Sequence, residues 1–369
     1  MNKVSGNDNI ILFSVLTFEQ DYCIITAITT GKIILFSIRK DMLFVSLIIQ
    51  FVLLVAGFVL LIKGADWFVD GAAGIADKLG IPQLVIGLTI VAFGTSAPEA
   101  AVSITAGLNG TAGLAVGNVV GSNIMNILLI LGIASVITPI PVQKSTFKYE
   151  IPFVILITVI MGILGYIGGD VGRIDGVILW AIFLLFFVYL IKMSKSGQNA
   201  ILAEEEESGG EAAKKEKKVW QLILFTIIGI AMIVLGSNLT VKSATAIATA
   251  FGMSDRLIGL TIVAFGTSLP ELVTSAMAAR KGNADIAIGN IVGSNIFNIL
   301  FVLGTTALIT AVPFEPNFYA DTIISALAAV LLLLCVANKD RKLKRWGGVT
   351  MLLCYAVYFV YLLMFSAAA

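Results

Sequence analysis

Two glutamates stand in apolar surroundings at matching places: Glu99 ends GLTIVAFGTSAPE and Glu271 ends GLTIVAFGTSLPE. An ionisable side chain at membrane depth costs at least ~2.5 kcal/mol at a helix centre on insertion scales, so it calls for a functional reason. Thr95 precedes Glu99 by four residues, and Thr267 precedes Glu271 likewise, which puts each pair on one helical face. A second shared phrase, GNVVGSNIMNILLILG from Gly117 and GNIVGSNIFNILFVLG from Gly289, repeats the spacing in Ser122 with Asn126 and Ser294 with Asn298. The donors are carboxylate, amide and hydroxyl oxygens, without thiolate or imidazole. Such a set suits Ca2+, which takes ~6–8 oxygens at ~2.3–2.6 Å, and also suits Na+. Two carboxylates balance one Ca2+, and several Na+ could occupy the same cluster, so exchange is physically reasonable.

Pro98 and Pro270 each precede a glutamate by one residue. Lacking an N–H, each deprives the carbonyl four residues back, at Gly94 or Gly266, of its helical partner and bends the helix. A freed carbonyl at membrane depth must be satisfied by protein, water or a cation. The glycines and small residues of GNVVGSN and GNIVGSN have a second explanation in close helix packing. Packing does not account for the glutamates.

These phrases belong to an internal repeat with a constant offset of 172 residues, in which 29 of the 46 positions from Gly87 to Gly132 are identical to their counterparts from Gly259 to Gly304. With 58% hydrophobic and 13% charged residues in 369, the chain has more apolar surface than one soluble core hides, and it reads as an all-α polytopic membrane protein. Apolar runs at about 43–63, 82–108, 113–137, 151–168, 175–193, 219–238, 257–279, 285–311, 320–337 and 347–366 predict ten transmembrane helices. The expected organisation is a first five-helix repeat over 42–193, a charged linker over 194–218 and a second five-helix repeat over 219–369. Residues 1–41 are broken by charges and read as a non-native extension, which mass spectrometry of the N-terminus would test.

If the first helix enters from outside, the inner loops collect seventeen Lys and Arg residues and the outer loops only three, Arg173, Lys242 and Arg256. The positive-inside rule then places both termini outside and the linker in the cytoplasm. The linker's AEEEESGGEAAKKEKK reads as a solvated tether, since Glu204 to Glu207 lack the turn and spacing of a calcium loop. Five helices on either side of it, an odd number, invert the second repeat relative to the first, a common transporter plan with a midplane site. The chain contains no histidine, which removes imidazole metal sites and the usual neutral-pH proton switch. Cys23, Cys335 and Cys354 form no CxxC pair. No nucleophile is paired with a base and no phosphate loop is present, so nothing points to an enzyme. Nothing points to a cofactor, a nucleic-acid partner or an obligate protein partner either; the expected partners are the lipid bilayer and the transported ions Ca2+ and Na+.

At GTSAPE, GTSLPE and the two GSNIxNI phrases, the chain resembles the sodium/calcium exchangers of the cation/calcium antiporter superfamily, particularly their compact prokaryotic members. The resemblance covers about 43–366. It implies a plasma-membrane (inner-membrane) antiporter in which Na+ entering down its gradient extrudes Ca2+ by alternating access. Carried over by motif, Glu99 and Glu271 are central ligands, joined by Thr95, Thr267, Ser96, Ser268, Ser122, Ser294, Asn126 and Asn298 and by the carbonyls of Ala92 and Ala264. The first and sixth helices would be the sliding pair. Relatives that include the potassium-dependent branch carry Asp where this chain has Asn298, which weighs against potassium cotransport. The alternatives are a proton-coupled calcium antiporter and a cation channel. The missing histidine and paired GTSxPE favour sodium over protons, and a complete inverted pair within one chain disfavours a channel.

Overall fold

The computed structural model describes residues 18–19, 22–23, 31–110, 112–208, 218–251 and 264–366. Twelve helices are labelled here: α1 Gly31–Leu79, α2 Gln83–Thr95, α3 Ala97–Leu108, α4 Gly113–Ile137, α5 Thr146–Gly168, α6 Arg173–Ser208, α7 Val219–Ala250, α8 Ala264–Thr267, α9 Leu269–Arg280, α10 Ala284–Ile309, α11 Asn317–Val336 and α12 Arg345–Ser366. Among the described residues, eight helices are long and apolar enough to cross a membrane, and the bent pair α2–α3 makes a ninth span. The tenth expected span, 257–279, begins on residues outside those described and continues as α8 and α9. Of segment 1–41, only two short strands, β1 Phe18–Glu19 and β2 Tyr22–Cys23, and the start of α1 are described.

Three helices overrun their expected limits. The spanning part of α1 runs from Ser46 to Leu79, and α7 runs to Ala250, so Lys63 and Lys242 lie within helices and not in loops. Other residues of the charge comparison, among them Lys78, Arg173, Lys195, Arg280 and Arg345, also lie in helices but at or near the ends of spans, and the imbalance persists. At 1.5 Å per residue the 34 residues of α1 reach about 50 Å, well beyond a ~30 Å hydrocarbon core, so α1 must tilt or protrude. The third is α6, which continues to Ser208 into the expected tether, because Ala, Glu and Leu there are good helix formers.

α1 and α7 pack against each other through glycines seven residues apart. A Cβ at Gly57 would lie 3.0 Å from the Gly236 carbonyl, and one at Gly64 would lie 2.8 Å from the Gly229 carbonyl. Positions rise along α1 as they fall along α7, so the two run antiparallel. Gly57 and Gly229, like Gly64 and Gly236, are 172 residues apart, so each helix meets the other's equivalent surface. Two short ladders repeat the pattern. β3 Ile140–Pro141 pairs with β6 Lys342–Leu343, and β4 Asp170–Val171 pairs with β5 Val312–Pro313, each joining one repeat to the other. The centre of the molecule is α10, almost wholly buried, with α4 beside it. A cluster of Phe93, Phe183, Phe297 and Phe301 packs α2, α6 and α10 together.

Candidate ion site

The glutamates are placed by breaks in their helices. α2 and α3 meet at 51°, with Ser96 at the break at φ −83° and ψ 7°; Ser268, between α8 and α9, has φ −90° and ψ 6°. Pro98 and Pro270 fall in the first turn of the following helix, where the missing N–H costs little. Glu99 and Glu271 share that turn, near the positive end of the helix dipole. The expectation of one continuous face is therefore corrected: Thr95 and Glu99 lie on either side of a break, as do Thr267 and Glu271. Wide π-helical turns occupy matching segments Asn126–Leu131 and Asn298–Leu303, and such turns are frequent at functional sites.

The breaks let each half reach into the other. Ser96 Oγ donates to Glu271 Oε1 at 2.7 Å, and Ser268 Oγ donates to Glu99 Oε1 at 3.1 Å. The amides cross as well. Asn126 Nδ2 donates to Asn295 Oδ1 at 2.9 Å and Asn298 Nδ2 to Asn123 Oδ1 at 3.2 Å, while Asn123 and Asn295 each donate to the other's backbone carbonyl. Every one of these contacts has its counterpart under the 172-residue offset.

What the network leaves unpaired is equally twofold. Glu99 Oε2, Glu271 Oε2, Asn126 Oδ1 and Asn298 Oδ1 are buried and have no hydrogen-bond partner. Both glutamates and both asparagines are 1% exposed. An unsatisfied buried polar group costs about 1–3 kcal/mol, and more if charged. Four such oxygens, two of them on carboxylates, make a donor set that a hard cation satisfies.

Several of the other expected ligands are brought to the same region. The Ala92 carbonyl accepts from Ser294 Oγ at 3.4 Å, and Ser122 Oγ lies 3.5 Å from Ser268 Oγ. The Thr95 hydroxyl lies 3.0 Å from Asn290 Oδ1 and 3.1 Å from the Val91 carbonyl, to either of which it can donate, leaving lone pairs free. Thr267 is only half-buried at the end of α8, and Ala264 begins that helix.

The sequence profile of the family described as "Sodium/calcium exchanger protein" matches the chain twice, over residues 49–192 and 221–364. The chain belongs to this family. It is 31% identical over 330 residues to the sodium/calcium exchanger MaX1 of Methanosarcina acetivorans, covering 79% of this chain and 92% of that protein. It is 38% identical over 260 residues to the inner membrane protein YrbG of Escherichia coli, covering 69% of this chain and 79% of that one. A solved structure of the sodium-calcium exchanger NCX_Mj superposes with a TM-score of 0.73 at 34% identity, over 85% of this chain and 98% of that one.

Two supporting pairs in this exchanger-family chain were missed as site residues in the sequence. Asn118 Nδ2 donates to the Glu99 carbonyl at 3.2 Å and to Ser103 Oγ at 2.8 Å; Asn290 Nδ2 donates to the Glu271 carbonyl at 3.4 Å and to Ser275 Oγ at 2.8 Å. They fix the backbone beneath each carboxylate. Asn123 and Asn295 orient the amides of Asn126 and Asn298. The available signal was their identity in both copies of GNxVGSN.

A cavity of about 610 Å3 reaches this site from one side, between Leu54 and Phe58 of α1, the last third of α7, α4 and α12. Its lining is mostly apolar, with Asn118, Ser122 and Thr240 among its polar groups. Ser122 therefore belongs both to the candidate ligand set and to the cavity wall.

Proposed function

We propose that this protein extrudes Ca2+ in exchange for Na+, by alternating access to one midplane site that the two repeats build jointly as an inverted pair. The observation that carries this reading is the set of four unpartnered buried oxygens on Glu99, Glu271, Asn126 and Asn298. Each repeat supplies one carboxylate and one amide. Thr95, Thr267, Ser96, Ser268, Ser122, Ser294 and the carbonyls of Ala92 and Ala264 complete the donor set. Two carboxylates neutralise one Ca2+, while Na+ ions compete for the same oxygens; Asn298 weighs against a potassium requirement.

The moving elements are α1 and α7. Their mutual face is a row of glycines, which lets the helices slide past each other with little side-chain interdigitation. The excess of Lys and Arg puts the start of α1 and the end of α7 outside, so the cavity opens outward. The names of MaX1 and NCX_Mj agree with Na+ as the coupling ion.

Radiocalcium uptake into proteoliposomes with an imposed Na+ gradient tests this function. The expected result is uptake that follows the Na+ gradient and ignores a pH gradient. Uptake driven by pH and indifferent to Na+ would replace this reading by proton-coupled antiport.

A further inference from the structure

Lys281 caps the end of α9, followed by Gly282 at φ +82°, which turns the chain into α10. Its ammonium Nζ lies 2.6 Å from Asp66 Oδ1 and 2.6 Å from Asp70 Oδ1, and donates to the Asp66 carbonyl at 2.8 Å. Asp66 and Asp70 are one turn apart on α1. One lysine thus ties α1 to the turn between α9 and α10. The tie lies away from the cavity: Phe58, in the cavity wall, precedes Asp66 and Asp70 by about 12 and 18 Å along the helix.

Under the repeat offset, Lys281 corresponds to Asn109, which caps α3 before Gly110 at φ +79°. Asp66 corresponds to Asn238 and Asp70 to Lys242. That set contains no acid, so the same ion pair cannot form at the other end. In an inverted-repeat exchanger the second conformation arises when the halves trade contacts. A tie present at one end only makes the two conformations unequal in energy.

We infer that Lys281, Asp66 and Asp70 form a one-sided latch that holds α1 closed at the end away from the cavity and biases the exchanger toward the cavity-open state. The latch rests on the alternating-access reading above and adds to it which state is favoured and by which residues. Lys281 is a positioning residue, acting on the site through α1. Partial burial works against its ammonium, but the hydrogen bonds and charges of Asp66 and Asp70 outweigh burial and raise it above the ordinary lysine range. Its charge therefore stays in place through neutral pH and is lost only as pH rises past that raised value.

The test uses the full chain in proteoliposomes, with Cys23, Cys335 and Cys354 replaced by serine and Leu54→Cys as a reporter in the cavity wall. The rate of labelling by a membrane-impermeant maleimide reads the cavity-open population. Lys281→Gln and, separately, Asp66→Asn with Asp70→Asn should lower the open-to-closed ratio by roughly twofold to fivefold, the range of a partly exposed ion pair, and slow labelling by up to that factor. Lys281→Arg should preserve the wild-type rate. Building the missing latch with Asn109→Lys, Asn238→Asp and Lys242→Asp should also slow labelling, by favouring the opposite state. Unchanged labelling in both latch-breaking variants overturns the latch. Sodium-driven calcium flux, measured in the same vesicles, reports separately on the function beneath it.

Discussion

Gly121 and Gly293 occupy the same place in two copies of one motif, yet their surroundings differ. A Cβ at Gly293 would lie 2.8 Å from the Leu88 backbone and from Ala92, whereas one at Gly121 would meet nothing within 4 Å. Gly121 faces the cavity, and Gly293 seals the opposite side against α2. The candidate ion site between them is twofold in its carboxylate and asparagine contacts. A symmetric sequence therefore surrounds a symmetric site with an asymmetric closure, which is what one state of a two-state exchanger requires. Under the proposed function, symmetry sits where ions are held, and asymmetry where access is decided.

The largest expected effect comes from breaking the symmetric part. Glu99→Gln or Glu271→Gln should lower sodium-driven calcium flux by about ten- to hundredfold, given ~1.5–3 kcal/mol for each charged interaction lost. The two variants should be equally impaired, because the carboxylates are equivalent.

The glycine pair sharpens the asymmetric part. Gly293→Ala should lower thermal stability by about 1–3 kcal/mol through overpacking, and Gly121→Ala should stay within ~0.5 kcal/mol of wild type. Gly121→Ala should nevertheless slow transport, because Gly121 must close when the halves exchange roles. Melting curves and flux assays on the same preparations separate the two effects.

Ser96→Ala and Ser268→Ala give a finer check. Each removes one cross-repeat hydrogen bond to a carboxylate, worth about 0.5–1.5 kcal/mol. Their effects on apparent calcium affinity should be similar, and a large effect from one alone would mean that the halves are not equivalent. The smallest effect expected is that of potassium. With an amide at Asn298, replacing potassium by choline should leave flux unchanged.

Much of this site was legible because the sequence states it twice. Repetition singled out Glu99 and Glu271, and the motifs named Asn126 and Asn298. The crossing of Ser96 to Glu271 was not legible, because no spacing along one repeat encodes which group of the other repeat it meets. The break between Thr95 and Glu99 was legible as a proline bend, but not as the start of a new helix that takes the two residues off one face. A proline in a first helical turn and one in a helix interior look alike until the helix start is known. Asn118 and Asn290 hold backbone carbonyls from the neighbouring helix, a role that follows only from their packing. The limits of α1 and α7 were missed for another reason: charged residues such as Lys63 and Lys242 look like loop markers, but the helices run on past them. The partnership of Lys281 with Asp66 and Asp70 spans more than two hundred residues and has no echo in the other repeat.

The central claim is that two inverted halves make a single cation site. Titration of purified protein with Ca2+ by calorimetry, for wild type beside Glu99→Gln and Glu271→Gln, tests it most directly. One calcium per chain, displaced by Na+ and lost in either variant, is the expected result. Calcium binding that survives intact in either variant would contradict a shared site.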